Sequence, residues 1–319
     1  MALGSKTEGR KNVEIVFGEP ERNLRSAFRA ALHREGFSNV VDYEKFNAVR
    51  QHIERRQPDL LVLDAFLGGE NVAELISRIR QGKLGINPFI PVILTIWEPT
   101  QEKVKACAGS GADDLLVKPI SPGKLVERMI TLVENRKPFV VTSDYIGPDR
   151  RKDPSRGSDI PLIEVPNTFE QKIKGEKVDQ TSLNAMIAKV QDDINDQRLK
   201  RNAFQIAFLV ELILPLLKEG KTSNPDLKSN LERLVDVAKD TGVRMEGTEY
   251  DHVNNLCTSM LEVAERLSGA LDQPSKKDID LMKPLSDAIL LGFNPESDAA
   301  QMAGQITDAV TSYSAKQKK

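Results

Sequence analysis

Three residues in the first 120 positions have side chains able to manage a phosphoryl group: Glu19, Asp64 and Lys118. Asp64 closes the apolar run Asp59–Asp64 (DLLVLD). Lys118 follows Asp114–Val117 (DLLV) and precedes Pro119, and Glu19 follows Val13–Phe17 (VEIVF). Two carboxylates can hold Mg²⁺, the metal screens an incoming phosphoryl group, and a lysine holds one of its oxygens. Asp64 would then be the nucleophile that becomes an aspartyl phosphate. Taken alone, Asp64 reads as a capping acid after a strand; a lysine closing a second such run favours the chemical reading.

The elements that must position these residues alternate. The runs already given, together with Asn39–Tyr43 (NVVDY) and Pro91–Ile96 (PVILTI), read as buried strands rich in Val, Ile and Leu. Between them Leu24, Phe28, Ala31 and Leu32 recur at helical spacing, as do Phe46, Val49 and Ile53, then Val72, Leu75, Ile76 and Ile79. Leu125, Met129 and Leu132 close the series. This alternation predicts an α/β fold with a doubly wound five-stranded parallel sheet, whose ligand site lies at the carboxyl ends of the strands.

From Arg136 to about Pro166 periodicity is lost among five prolines and several Gly, Ser and Asp, which predicts a linker over 137–168. Beyond it the pattern is helical: Leu183, Ile187, Val190 and Ile194, then stretches at Phe204–Leu217, Leu227–Ala238, Val253–Leu271, Ile279–Leu291 and Ala299–Tyr313. Breakers are expected at Gly220, Asn224–Pro225, Gly242, Pro274 and Asn294–Pro295. An all-α helical bundle domain over 169–319 follows.

Composition narrows the function. The chain of 319 residues has two cysteines, Cys107 and Cys257, and three dispersed histidines, which argues against a disulfide framework or a zinc site and for a reducing cytoplasm. No window approaches a membrane span and the first residues lack a signal-peptide core, so no membrane insertion is expected. Residues 1–156 hold 25 Lys and Arg against 21 Asp and Glu, whereas residues 157–319 hold 20 against 26. An acidic second half lacks the basic face that DNA binding needs.

The pieces IVFGEPE, PDLLVLD, IPVILTI and GADDLLVKPISPGKL resemble the receiver domains of two-component response regulators over roughly residues 12–136. The resemblance implies a flavodoxin-like receiver fold, phosphorylation of Asp64 by a sensor histidine kinase, and Lys118 as phosphate contact. It also implies Mg²⁺ held by Glu19, Asp64 and the Ala65 backbone carbonyl, and a shift of the fourth and fifth βα units. Family receivers carry two adjacent acids after strand one; here one of the pair is absent, with Glu19–Pro20 or Phe17–Gly18 in its place and Glu21 nearby. An ungapped count from Pro91 to Lys118 puts Ile96 where the family has its switch hydroxyl and Thr95 one residue early, and on a strand a one-residue slip predicts the opposite face.

Other residues have a functional and a plainer reading. Trp97, just after strand four, reads as a partner-binding aromatic or a half-buried loop residue. Cys107 reads as a small apolar residue on the fourth helix. Arg150 and Arg151 in DYIGPDRRK read as a phosphate site, or as a solvated turn or salt-bridged clamp on the acidic bundle. Asp193 and Gln197 share a helical face with the D-x-x-x-Q spacing of helical phosphatases acting on chemotaxis receivers; the plain reading is an acidic face. Gln197 and Arg201 also continue the Leu183–Ile194 line as buried polar specifiers of a bundle or dimer. His252 lacks the H-x-x-K-G pattern of phosphotransfer bundles and reads as an ordinary helix residue.

The expectation is a cytoplasmic response regulator whose receiver controls a non-DNA-binding helical domain that contacts a downstream protein, with long helices able to mediate a homodimer. The alternatives are a degenerate receiver serving as a phosphorylation-independent scaffold and a receiver-controlled helical phosphatase using Asp193 and Gln197.

Overall fold

The computed structural model describes residues 9–142, 144–151, 161–245, 248, 250, 253–293, 305–306 and 310. The chain divides into two compact units, Met1–Ile194 and Asn195–Lys319.

The first unit is built on five parallel strands: β1 Glu14–Gly18, β2 Asn39–Tyr43, β3 Leu60–Asp64, β4 Val92–Ile96 and β5 Asp114–Val117, in the order β2-β1-β3-β4-β5. Strands buried on both faces need apolar side chains at nearly every position, which is why they are visible as continuous runs. On one face Ile15, Phe17, Leu60, Val62, Ile93 and Leu116 pack against helices α1 (Arg22–Arg34) and α5 (Pro122–Glu134). On the other, Val16, Leu61, Leu63, Leu94 and Ile96 meet α2 (Phe46–Arg55) and α3 (Val72–Arg80), with Cys107 of α4 (Gln101–Gly109). The doubly wound sheet expected from the sequence is present. One addition follows β3: Phe66–Leu67 pairs antiparallel with Glu70–Asn71 around Gly68 and Gly69, at φ +66° and +88°. Two successive positive φ angles are the backbone of a tight hairpin turn, which glycine enters without steric cost.

The segment expected as a linker is structured where it is described. β6 (Phe139–Val141) and β7 (Ile146–Pro148) form an antiparallel hairpin, and Phe139 also bridges to Ile163. Pro138 immediately precedes β6 and Pro148 ends β7, where no ladder donor is required of them. Phe139, Val141 and Ile146 pack with Phe89 and with Leu183, Ile187, Val190 and Ile194. Those four belong to α7 (Gln180–Lys218), which follows the short α6 (Thr168–Ile173). The second compact unit starts at Asn195, so this stripe has its partner surface within the first; an amphipathic stripe requires a partner surface without specifying which.

The second unit is helical, comprising the remainder of α7, α8 (Pro225–Met245), α9 (Asn254–Gly269) and α10 (Lys276–Phe293) around Leu199, Val210, Leu231, Met260, Met282 and Phe293. The two stretches expected on either side of residue 200 are one helix, and Gly242 lies inside α8. A lone glycine costs a helix only about 1 kcal/mol, too little to end one with a buried face. His252 and most of the Ala299–Tyr313 stretch lie outside the described residues. No helix among the described residues is long and apolar enough to cross a membrane.

Candidate functional site at the carboxyl edge of the sheet

Glu19 and Lys118 each lie one residue past a strand, and Asp64 is the last residue of β3. Backbone bonds continue the ladder at all three places. The Glu19 amide donates to the Tyr43 carbonyl at 2.9 Å, the Ala65 amide to Thr95 at 2.8 Å and the Lys118 amide to Ile96 at 2.8 Å. The side chains are thus launched from rigid sheet rather than from loop.

They converge. Lys118 Nζ donates to Asp64 Oδ2 at 2.5 Å and to Glu19 Oε2, and the Lys118, Glu19 and Asp64 side chains are 3%, 2% and 6% exposed. The remaining carboxylate oxygens are also engaged: Glu19 Oε1 accepts from the Glu21 amide at 3.1 Å and Asp64 Oδ1 from the Phe66 amide at 2.8 Å. Buried charge is tolerated only when paired and hydrogen-bonded in this way. Two carboxylates against one ammonium leave a net negative charge, which favours a further cation. Glu21 itself is exposed and supplies only its amide.

Thr95 is where its identity suggested and its count did not. Ile93 joins the α1/α5 face, while Leu94 and Ile96 join the α2/α3 face. Alternation along β4 therefore sends Thr95 to the side of Ile93. Asp64 continues the Leu60–Val62 series and Lys118 follows Leu116 by two, so all three belong to that side, and Asp64 pairs in register with Thr95. The expected opposite face is corrected: it is Ile96 that points away, into the core. The Thr95 hydroxyl makes no hydrogen bond among the described residues, and Thr95 is buried.

Two convergent carboxylates of hard oxygen suit Mg²⁺, which typically takes one or two carboxylates and keeps its waters. The Ala65 carbonyl already accepts from the Val72 amide at 3.1 Å but has a second lone pair. No cluster of three or more His, Cys, Asp or Glu side chains suited to a metal occurs among the described residues. The residues present therefore fit a partly hydrated magnesium ion and not a closed protein cage.

Trp97 is 46% exposed, and Lys118 Nζ lies 5.5 Å from its ring centroid. Cys107 is buried, and burial together with the charge of Asp64 pushes its thiol above the ordinary value, as for an inert core thiol.

Arg150 Nη2 donates to the Ala112 carbonyl at 2.5 Å and its Nε to the Tyr145 hydroxyl at 3.3 Å, while Arg151 pairs with Asp149 at 2.9 Å. Arg150 thus grips the turn before β5, and Arg151 closes onto Asp149 within its own turn. Asp193 is exposed and Gln197 half-buried on α7. The buried polar residues of that helix are Arg198 and Asn202, one position beyond Gln197 and Arg201. A helix of 3.6 residues per turn drifts off a heptad line, which carries the buried stripe forward by a residue. Asp240 Oδ2 accepts from Arg198 Nε at 3.3 Å, Asn202 Nδ2 at 3.0 Å and Arg244 Nε at 2.8 Å. Spacing alone gives no sign of this network, because Asp240 is on another helix.

Residues 15–130 match the response regulator receiver domain family. The phosphate regulon transcriptional regulatory protein PhoB of Rhizobium meliloti (strain 1021) is 34% identical over 131 residues, 41% of this chain and 56% of that protein. The protein of the same name from Pseudomonas aeruginosa is 28% identical over 124 residues, 39% of this chain and 53% of its own length. The chain spans about half the length of these curated relatives. A crystal structure of a response regulator from Thermotoga maritima is 25% identical, with 39% of this chain and 99% of that chain covered at a TM-score of 0.34. Residues 15–130 are a response regulator receiver domain; the family match ends there, and the helical region beyond is unassigned by it.

Proposed function

We propose that the receiver is phosphorylated on Asp64 by a sensor histidine kinase and thereby controls the helical unit, which acts through contacts with a downstream protein. The carrying observation is the buried meeting of Lys118 Nζ with the carboxylates of Asp64 and Glu19 at the carboxyl edge of the sheet. A carboxylate oxygen of Asp64 forms the O–P bond as the donor's N–P bond breaks, and the donor imidazole keeps the electron pair. Lys118 then exchanges its bond to Asp64 for one to a phosphoryl oxygen, and Thr95, on the same side of the sheet, offers its hydroxyl to another. Glu19, Asp64 and the Ala65 carbonyl would hold Mg²⁺, which supplies charge screening of the phosphoryl oxygens.

The relatives named as transcriptional regulatory proteins match about half their length. The acidic balance of residues 157–319 favours a protein partner over DNA for the output of this chain. A receiver of this kind works in the cytoplasm, where the kinase presents its phosphohistidine.

Intact-protein mass after incubation with Mg²⁺ and a small acyl-phosphate donor tests the reading. A single phosphoryl adduct in the wild type and none in Asp64→Asn is expected. An adduct that persists in Asp64→Asn would place the phosphoryl group on another residue, and none with the donor and with candidate kinases would overturn the reading in favour of a docking module.

A further inference from the structure

Glu19 is the acid that β1 delivers to the site, and Glu21 beside it offers only its amide. A carboxylate with no second acid next to it binds a metal only as well as it is placed, and the groups behind a ligand decide that placement. Glu19 is fixed on both sides of its Cα. Its amide donates to the Tyr43 carbonyl at 2.9 Å, and its carbonyl accepts from Arg25 Nη1 at 2.6 Å. The same Nη1 donates to the Pro20 carbonyl at 2.9 Å, and the ring of Pro20 locks the next φ. With both peptide groups held, the Cα–Cβ bond of Glu19 keeps one direction, the one that brings its carboxylate to Lys118.

Arg25 is the fourth residue of α1. Helical Cβ atoms tilt toward the amino end, so its side chain reaches back over the residues that precede the helix. The helix itself gains nothing from it, because a cation near the amino terminus meets the positive end of the dipole. Around the end of β2, Asp42 Oδ2 lies 3.5 Å from Arg25 Nε and Glu44 Oε2 lies 3.4 Å from Nη2, with the arginine side chain 12% exposed. The two acids orient the guanidinium, and Nη1 is left to bond the two carbonyls of the Glu19–Pro20 turn.

We propose that Arg25 is a positioning residue that sets the Glu19 carboxylate for magnesium. This rests on the reading of Glu19 and Asp64 as a magnesium site. Charge and geometry predict opposite signs for its removal. Taking a cation away from a cation site tightens metal binding, whereas loosening the turn weakens it.

Two measurements on the full chain test it. Magnesium affinity by calorimetry should fall about tenfold in both Arg25→Lys and Arg25→Met, as when a partner behind a metal ligand is lost. Lysine keeps the charge, but a point ammonium does not replace the fork. Arg29→Ala removes a cation paired with Asp42 at 3.1 Å and should bind magnesium as the wild type does. In a Glu19→Gln background Arg25→Lys should add little, because the group it places is already neutral. An unchanged or tighter affinity in Arg25→Lys, or an equal loss in both backgrounds, would overturn the positioning role. In metal-free protein the Glu21 amide, held by Glu19 Oε1, should exchange its hydrogen faster in Arg25→Lys and not in Arg29→Ala; unchanged exchange would also overturn it. Absence of magnesium binding in the wild type would instead overturn the reading of the metal site, with the exchange comparison still deciding whether Arg25 sets the carboxylate.

Discussion

Arg80 Nη2 and Asp113 Oδ2 meet at 2.9 Å with side chains 1% and 2% exposed, behind the strand that delivers Lys118 to the site. Each guanidinium nitrogen has a partner: Arg80 also bonds the carbonyls of Gly111, Pro88 and Ile90, and Asp113 also accepts from Arg136 and the Val92 amide. Burial pulls the Arg80 guanidinium down to about 10, and Arg136 adds to this while Asp113 opposes it, so Arg80 stays charged at neutral pH. Breaking a buried pair from one side leaves an uncompensated charge. Asp113→Ala should therefore cost about 3–5 kcal/mol, read as a lowered urea midpoint for the first unit. Arg80→Lys should not rescue, because a point ammonium cannot reach four acceptors spread around a planar fork.

The hairpin after the receiver belongs to the same fold. Phe139 is fully buried, edge-on to Phe89 and faced by the guanidinium carbons of Arg80 and Arg136, each 5.2 Å from its ring centroid. Phe139→Ala removes that ring from a closed environment and should destabilise by about 3–5 kcal/mol. If residues 137–151 were a solvated linker, the same substitution would leave the urea midpoint unchanged.

What could be read from the sequence, and what could not, follows from range. Asp64 and Lys118 were legible because each ends a continuous apolar run, and buried parallel strands put such endings at one edge. Thr95 was legible as a hydroxyl but not as a face, since the direction of its side chain depends on where β4 starts; the partition of Ile93 and Ile96 between two cores settles it. Arg80 and Asp113 lie 33 positions apart and carry no shared pattern. The Phe139–Val141 run was outweighed by five surrounding prolines, of which Pro138 and Pro148 sit at strand ends where they cost no ladder bond. The Leu183–Ile194 stripe signalled burial but not its partner, which is Phe89 and the hairpin residues Phe139, Val141 and Ile146.

The helical unit should have its own acid limit. Burial works against the charge of Asp240, but the bonds from Arg244 and Asn202, with Arg198 nearby, outweigh it, so its carboxyl sits below the ordinary 3.8. Stability from a carboxylate depressed in the folded state is complete above the unfolded value and is lost as pH falls through the folded one. Melting temperature should hold down to about pH 4 and drop below it, and Asp240→Asn should flatten that drop while lowering stability at neutral pH. A drop of the same steepness in Asp240→Asn would assign the acid limit to other carboxylates.

Magnesium and Lys118 address the same two carboxylates, which gives a competition that can be measured without any phosphoryl donor. In Lys118→Met, Glu19 and Asp64 face each other with no cation between them, and the variant should be less stable than wild type by about 3–5 kcal/mol in metal-free buffer. A ligand that binds only the folded state stabilises it by RT ln(1 + [L]/Kd), about 2.7 kcal/mol at a hundredfold excess over Kd. Without the ammonium in the way, a given magnesium concentration should raise the melting temperature of Lys118→Met more than that of the wild type. Glu19→Gln should weaken the response in both backgrounds, because one of the two convergent carboxylates is then neutral. Equal magnesium shifts in wild type, Lys118→Met and Glu19→Gln would place the ion elsewhere on the protein and leave Lys118 as the only cation of the site.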